Sequence, residues 1–122
     1  MRDFRELVVW QKAHALTLKL YPRVMLFANH ELYGLISQIR RSASSIGANL
    51  AEGVGKSKAD FARFAQISYG SASELEYHLL LSKDLEYLKQ AEYEVFQEQL
   101  VEVKKMLTGL IQHLNSRAAG AN

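Results

Sequence analysis

Apolar residues recur along the chain at alternating spacings of three and four, the period of a helix face turned toward a core. No stretch shows the strict alternation of a half-buried strand. Four helical patterns follow. Ala13, Leu16, Leu20, Val24 and Phe27 form the first stripe, and Ile36, Ile39, Ala43, Ile46 and Leu50 the second. Phe61, Phe64, Ser68, Ala72, Leu75, Leu79 and Leu85 form the third. Tyr93, Phe96, Leu100, Val103, Leu107, Leu110 and Leu114 form the last. Asp3 and Glu6 are spaced as a capping box for the first helix, and Ser57 with Asp60 carries the same signature before the third. Pro22 lies inside the first pattern, where the lost N–H should kink the helix at a cost of up to about 3 kcal/mol if unrelieved. Gly53 and Gly55 supply backbone freedom to end the second helix. Connections of about 3 to 6 residues make consecutive helices antiparallel neighbours, so the expected fold is an all-α, antiparallel up-down-up-down four-helix bundle. Residues 1–116 form its single domain, and residues 117–122, with Ala118-Ala119-Gly120-Ala121, read as a frayed C-terminal tail.

With 122 residues, 48% of them hydrophobic, the chain can bury a core without disulfides or metals. It has no cysteine, which removes thiolate metal sites, cysteine catalysis and disulfides together. Leu7-Val8-Val9-Trp10 is too short for the apolar core of a signal peptide, and no run approaches the roughly 20 apolar residues of a membrane span. The expectation is a soluble cytoplasmic protein with no membrane partner. The net charge of +2 is unevenly spread: residues 1–63 hold ten Lys and Arg against five Asp and Glu, residues 64–122 five against eight. One half of the chain therefore favours anionic partners, although solvated helix faces often differ this much by themselves.

A helix bundle invites a di-iron reading, which uses Glu-x-x-His pairs projecting inward. No glutamate stands three residues before a histidine here; His14, His30, His78 and His113 are scattered, and H-E-x-x-H is absent. Glu74 and His78 share a helix face, but one such pair more often makes a local hydrogen bond. The serines have no G-x-S-x-G elbow. Gly53-Val54-Gly55-Lys56-Ser57 lacks the spacing of a phosphate loop and reads as a capping turn. Neither an enzyme nor a cofactor is expected.

Two sets of polar residues remain. Arg41, Ser45, Asn49 and Glu52 step along one side of the second helix, and Gly70, Ser71 and Glu74 lie on the third. Folded about a turn near position 55, the small-residue blocks 42–45 and 70–73 face each other, placing Arg41 about one turn, roughly 6 Å, from the height of Glu74. This predicts a polar seam fixing helix register, with Arg41 bridging to Glu74. The second set is basic: Arg40, Lys56, Lys58 and Arg63, supplemented by Arg2, Arg5, Lys12, Lys19 and Arg23. Exposed cations of this kind contact phosphates without reading sequence.

The order R-R-x-x-x-S-I-x-x-N-x-A-E-G over residues 40–53, followed by G-S-x-x-E-L-E over residues 70–76, resembles the "four helix bundle protein" family. Its founding members are open reading frames within intervening sequences of 23S ribosomal RNA genes, and the accessory variability protein of diversity-generating retroelements is a relative. The similarity extends from Phe4-x-x-Leu7-x-Val9-Trp10 through Tyr33-Gly34-Leu35 to Leu107-x-Gly109-Leu110. Ala28 stands where the family often has a proline before the second helix, and Gly47 where a proline or another residue is common. The resemblance implies a homopentamer, and in the retroelement relative a basic barrel that associates with nucleic acid and a reverse transcriptase. Two functions stay open for this chain: an accessory factor that binds RNA or DNA through phosphates, and an adaptor that recognises another protein.

Overall fold

The computed structural model describes residues 3–120, with side chains to Ser116. Among the described residues are four α-helices, α1 (Val8–Val24), α2 (Leu35–Val54), α3 (Lys58–Asp84) and α4 (Gln90–Gly120), and no strand. Short 3-10 turns occupy Phe4–Glu6 and Asn29–Glu31. Residues 1–2 and 121–122 and the side chains of 117–120 lie outside this description; the backbone of 117–120, expected in the frayed tail, continues α4.

The helix ends depart from expectation where local chemistry competes with the capping pattern. Asp3 caps the first 3-10 turn instead of α1, its carboxylate accepting from the Arg5 N–H at 2.9 Å. Leu7 then precedes α1 without a side-chain cap, and the amide of Gln11 donates back to the Arg5 carbonyl at 2.8 Å. Pro22 sits two residues before the end of α1, so the backbone bond it forgoes belongs to a turn that is already finishing. Phe27, expected on the helix, lies beyond it, yet stays buried against Tyr87 with ring centroids 5.1 Å apart. The α1–α2 connection, residues 25–34, is accordingly longer than foreseen. Ser57 does cap α3, accepting from the Asp60 N–H at 3.2 Å. At the end of α3, Glu86 adopts a left-handed φ of 67°, which lets the N–H groups of Tyr87 and Leu88 both return to the Ser82 carbonyl.

The predicted stripes converge on one core. Leu16, Leu20, Ile36, Ile39, Ile46, Leu50, Leu75, Leu79, Leu100 and Leu107 are almost wholly removed from solvent. Each helix packs on the next in sequence, and α1 packs on α4; α1 and α3 lie across the core from each other, as do α2 and α4. Thr17 reaches the Ala43 carbonyl at 3.2 Å and Tyr21 the Arg40 carbonyl at 3.3 Å. Lys104 meets Glu76 at 2.7 Å, and Lys12 meets Glu102 at 2.6 Å.

Gly53 is not a helix stop. It lies buried in the last turn of α2, where a Cβ would stand 2.8 Å from Phe61 Cδ1 and 2.9 Å from Phe64 Cβ. The absence of a side chain is what lets α2 and α3 approach at this end.

The other end of the bundle is closed by an ionic clasp between α1 and α4. Arg23 donates to both oxygens of Glu92, at 2.7 and 3.0 Å, and to the Tyr87 carbonyl at 3.1 Å. The guanidinium bonds outweigh desolvation and hold the Glu92 carboxyl down at about 2. A carboxylate depressed in the folded state stabilises above its unfolded value, near 4.5, and loses that contribution as pH falls toward 2. Both side chains are partly open to water, so solvent screening reduces the effect to about 1 kcal/mol. Denaturant titrations at pH 6 and pH 2.5 should show the parent losing about 1 kcal/mol more than Glu92→Gln over that interval; equal losses would remove the clasp from the stability balance.

Candidate interaction surface

The polar seam forms in part. Ser45 and Ser71 join α2 to α3 through their hydroxyls at 2.8 Å, and the Asn49 amide donates to the Ser45 carbonyl and hydroxyl at 2.9 and 3.0 Å. One turn deeper, the buried Ser68 hydroxyl donates to the Ile46 carbonyl at 2.8 Å. A short side chain at each position lets the backbones come close enough for these bonds. The expected Arg41–Glu74 bridge does not form. Arg41 is exposed and donates to Gln38 at 3.1 Å. Glu74 makes no hydrogen bond or ion pair among the described residues. The two share a height, Arg41 exposed and Glu74 half-buried, and both act on His78, whose pKa falls chiefly through desolvation, with Glu74 opposing and Arg41 reinforcing the shift. Glu52 and Gly70 are exposed as well, and a Cβ added at Gly70 would meet nothing within 4 Å.

The basic quartet is divided. Lys56 and Lys58 flank the α2–α3 turn, exposed and without an ion-pair partner among the described residues. Arg63, one turn into α3, spreads over the Phe64 ring at 4.8 Å and faces Asp60 at 3.7 Å. Arg40 belongs elsewhere: about 16 residues of helical rise, roughly 24 Å, separate it from position 56. Its guanidinium lies over the Tyr21 ring at 5.1 Å and reaches the Met25 sulfur at 3.9 Å, while its Nε is buried without a partner. The supplementary cations are largely neutralised, Arg5 by Asp3, Lys12 by Glu102 and Arg23 by Glu92. Arg2 lies outside the described residues.

Several exposed apolar side chains lie off the core stripes. Tyr33 is 93% exposed, Leu26 77%, Leu18 61% and Tyr77 58%. Their signal in the sequence was their position off the core stripes, which periodicity alone assigns to solvent. On α1 the outward positions Gln11, His14, Ala15, Leu18, Pro22 and Met25 carry no Lys, Arg, Asp or Glu, because its cations turn toward α4. Lys12 and Lys19 line an α1–α4 groove of about 170 Å³ with Gln99 and Glu102. On α3 the outward line is Arg63, Ile67, Gly70, Glu74 and Tyr77.

A second groove, of about 330 Å³, runs between α1 and α2, walled by Phe4, Trp10 and His14 and floored by Gly47, Ala48 and Ala51. A Cβ at Gly47 would lie 3.2 Å from Trp10 Nε1, so the indole depends on that glycine for its seat. Among the described residues no group of three or more His, Asp or Glu is placed to hold a metal ion. No helix described is long and apolar enough to cross a membrane.

A family model described as 23S rRNA-intervening sequence protein matches residues 5–109. The crystal structure of a protein with unknown function from the S23 ribosomal protein family of Bacteroides thetaiotaomicron superposes with a TM-score of 0.77 at 30% sequence identity, covering 85% of this chain and 98% of that one. No curated protein matches the chain.

Proposed function

Because the chain belongs to the 23S rRNA-intervening sequence protein family, we propose that it is a non-enzymatic interaction protein that works as a closed oligomer of antiparallel up-down-up-down bundles, five copies in the ring, in the cytoplasm. The observation that carries this reading is the apolar surface left exposed, with Leu18 on α1, Leu26 and Tyr33 in the α1–α2 connection and Tyr77 on α3 each more than half exposed. Large apolar side chains left exposed on separate faces of a small domain mark contact surfaces. Light scattering at micromolar concentration is expected to give a mass near five times 13.8 kDa; a stable species at the monomer mass overturns the reading.

The nucleic-acid function is favoured by a separate observation, Lys56 and Lys58 at the α2–α3 turn, exposed and without an ion-pair partner among the described residues. A ring repeats this pair, so contacts too weak singly gain affinity by simultaneous engagement. Binding to RNA and DNA is expected to be weakly selective in sequence and to fall steeply with salt. Glutamine at positions 56 and 58 should abolish it while mass and helical content persist. If the oligomer binds neither RNA nor DNA at low salt, the protein-adaptor function replaces it.

A further inference from the structure

We infer that the outward face of α1 is covered by the outward face of α3 from a second copy of this chain, in a head-to-tail contact. This rests on the oligomeric reading above and specifies which surfaces meet. The two faces are at the same height. Thr17 bonds to Ala43, and Ser45 to Ser71, which places Leu18 level with the Gly70–Glu74 segment. They also point in opposite directions, since α1 and α3 lie across the core from each other.

Their shapes and charges match. Gly70 leaves an open gap on α3 between Ile67 and Tyr77, 43% and 58% exposed, and Leu18 of the other copy, 61% exposed, is the apolar group to fill it. Tyr and Met are favoured at the centres of protein contacts, and Met25 extends the α1 face beyond Leu18. No carboxylate occurs on α1, and none on α2 before Glu52. Between Arg63 and Lys83, α3 has no cation but carries Glu74 and Glu76. The rim of the α1 face is thus positive, through Lys19 and through Arg40, whose guanidinium lies against Tyr21 and Met25, and that of the α3 face negative, through Glu74.

Faces on opposite sides of a molecule cannot meet by a two-fold axis through one patch. Such a contact is heterologous, and it closes into a ring when its rotation divides a full turn. The α2 and α4 surfaces, which carry Arg41, Asn49 and Glu52 and then Glu94, Glu98 and Lys105, stay in water on either side of that contact.

The test uses two full-length variants, Leu18→Glu and Tyr77→Glu, each studied alone and mixed. Alone, each is expected to run at the 13.8 kDa monomer mass with unchanged helical content. Mixed in equal amounts they should form a dimer and nothing larger, because Tyr77→Glu keeps an intact α1 face and Leu18→Glu an intact α3 face. Gly70→Lys, at an open position, replaces Tyr77→Glu should the latter fail to fold. An oligomer that survives either substitution overturns the contact, as does a mixture that stays monomeric. Loss of assembly in Leu18→Glu alone would do the same, since it points to an α1–α1 contact. A monomeric parent overturns the oligomeric reading itself, and the contact with it.

Discussion

Alanine in place of Leu50 is expected to lower the unfolding free energy by about 2 to 5 kcal/mol, measured as a shift in denaturant midpoint at unchanged slope. Leu50 has no exposed surface, and it projects from α2 one turn before Gly53, against which Phe61 and Phe64 of α3 pack. A deletion here loses the transfer energy of the side chain and leaves a cavity. Collapse into that cavity is restrained, because Ser68 and Ser71 already tie α3 to the α2 backbone and to Ser45. The high end of the range is therefore expected. A cost under about 1 kcal/mol would mean that the helices slide freely across one another, contrary to the seam.

Valine at position 53 tests the same packing from the opposite direction, by adding atoms. Glycine inside a helix is ordinarily unfavourable by about 0.5 to 1 kcal/mol, so a side chain at an indifferent site is stabilising. At Gly53 the first added carbon already falls under 3.0 Å from Phe61 and Phe64, and one of the contacted atoms is the Phe64 Cβ, which moves only with the α3 backbone. Overpacking of this kind costs about 1 to 3 kcal/mol, more than the propensity gain, and the extra methyls of valine enlarge it. Gly53→Val is expected to destabilise by about 2 kcal/mol, whereas Gly109→Ala, with nothing within 4 Å, should be neutral or stabilising. Equal effects at the two sites would show that α2 and α3 are not in close contact at position 53.

The core was legible because periodicity reports the direction in which a side chain leaves its helix. Ala13, Leu16 and Leu20, Ile36 through Leu50, and Leu100, Val103, Leu107 and Leu114 are buried as their spacing requires, with Leu110 half-buried between them. Leu85 satisfies the same spacing but is 48% exposed, because α3 ends at Asp84 and the pattern outlives the helix. The seam was half legible. Counting from the turn gives height along the bundle but not azimuth around each helix, so Ser45 and Ser71 meet while Arg41 and Glu74 do not pair. Arg40 failed for a related reason: positions adjacent in a list of cations are far apart along a helix. The exposed apolar face of α1 was illegible, since nothing in one sequence marks which flank its cations take.

The junction of α2 with α3 also bears on how the chain reaches this structure. Its hydrogen bonds span 26 residues at Ser45–Ser71 and 22 at Ile46–Ser68 across a turn of three residues, whereas the Arg23–Glu92 clasp spans 69. Closing a short loop costs less chain entropy than closing a long one, and local contacts dominate the folding nuclei of helical proteins. The second and third helices are thus the natural nucleus, with the first and last joining at the end of folding, when most of the apolar surface has already been gathered.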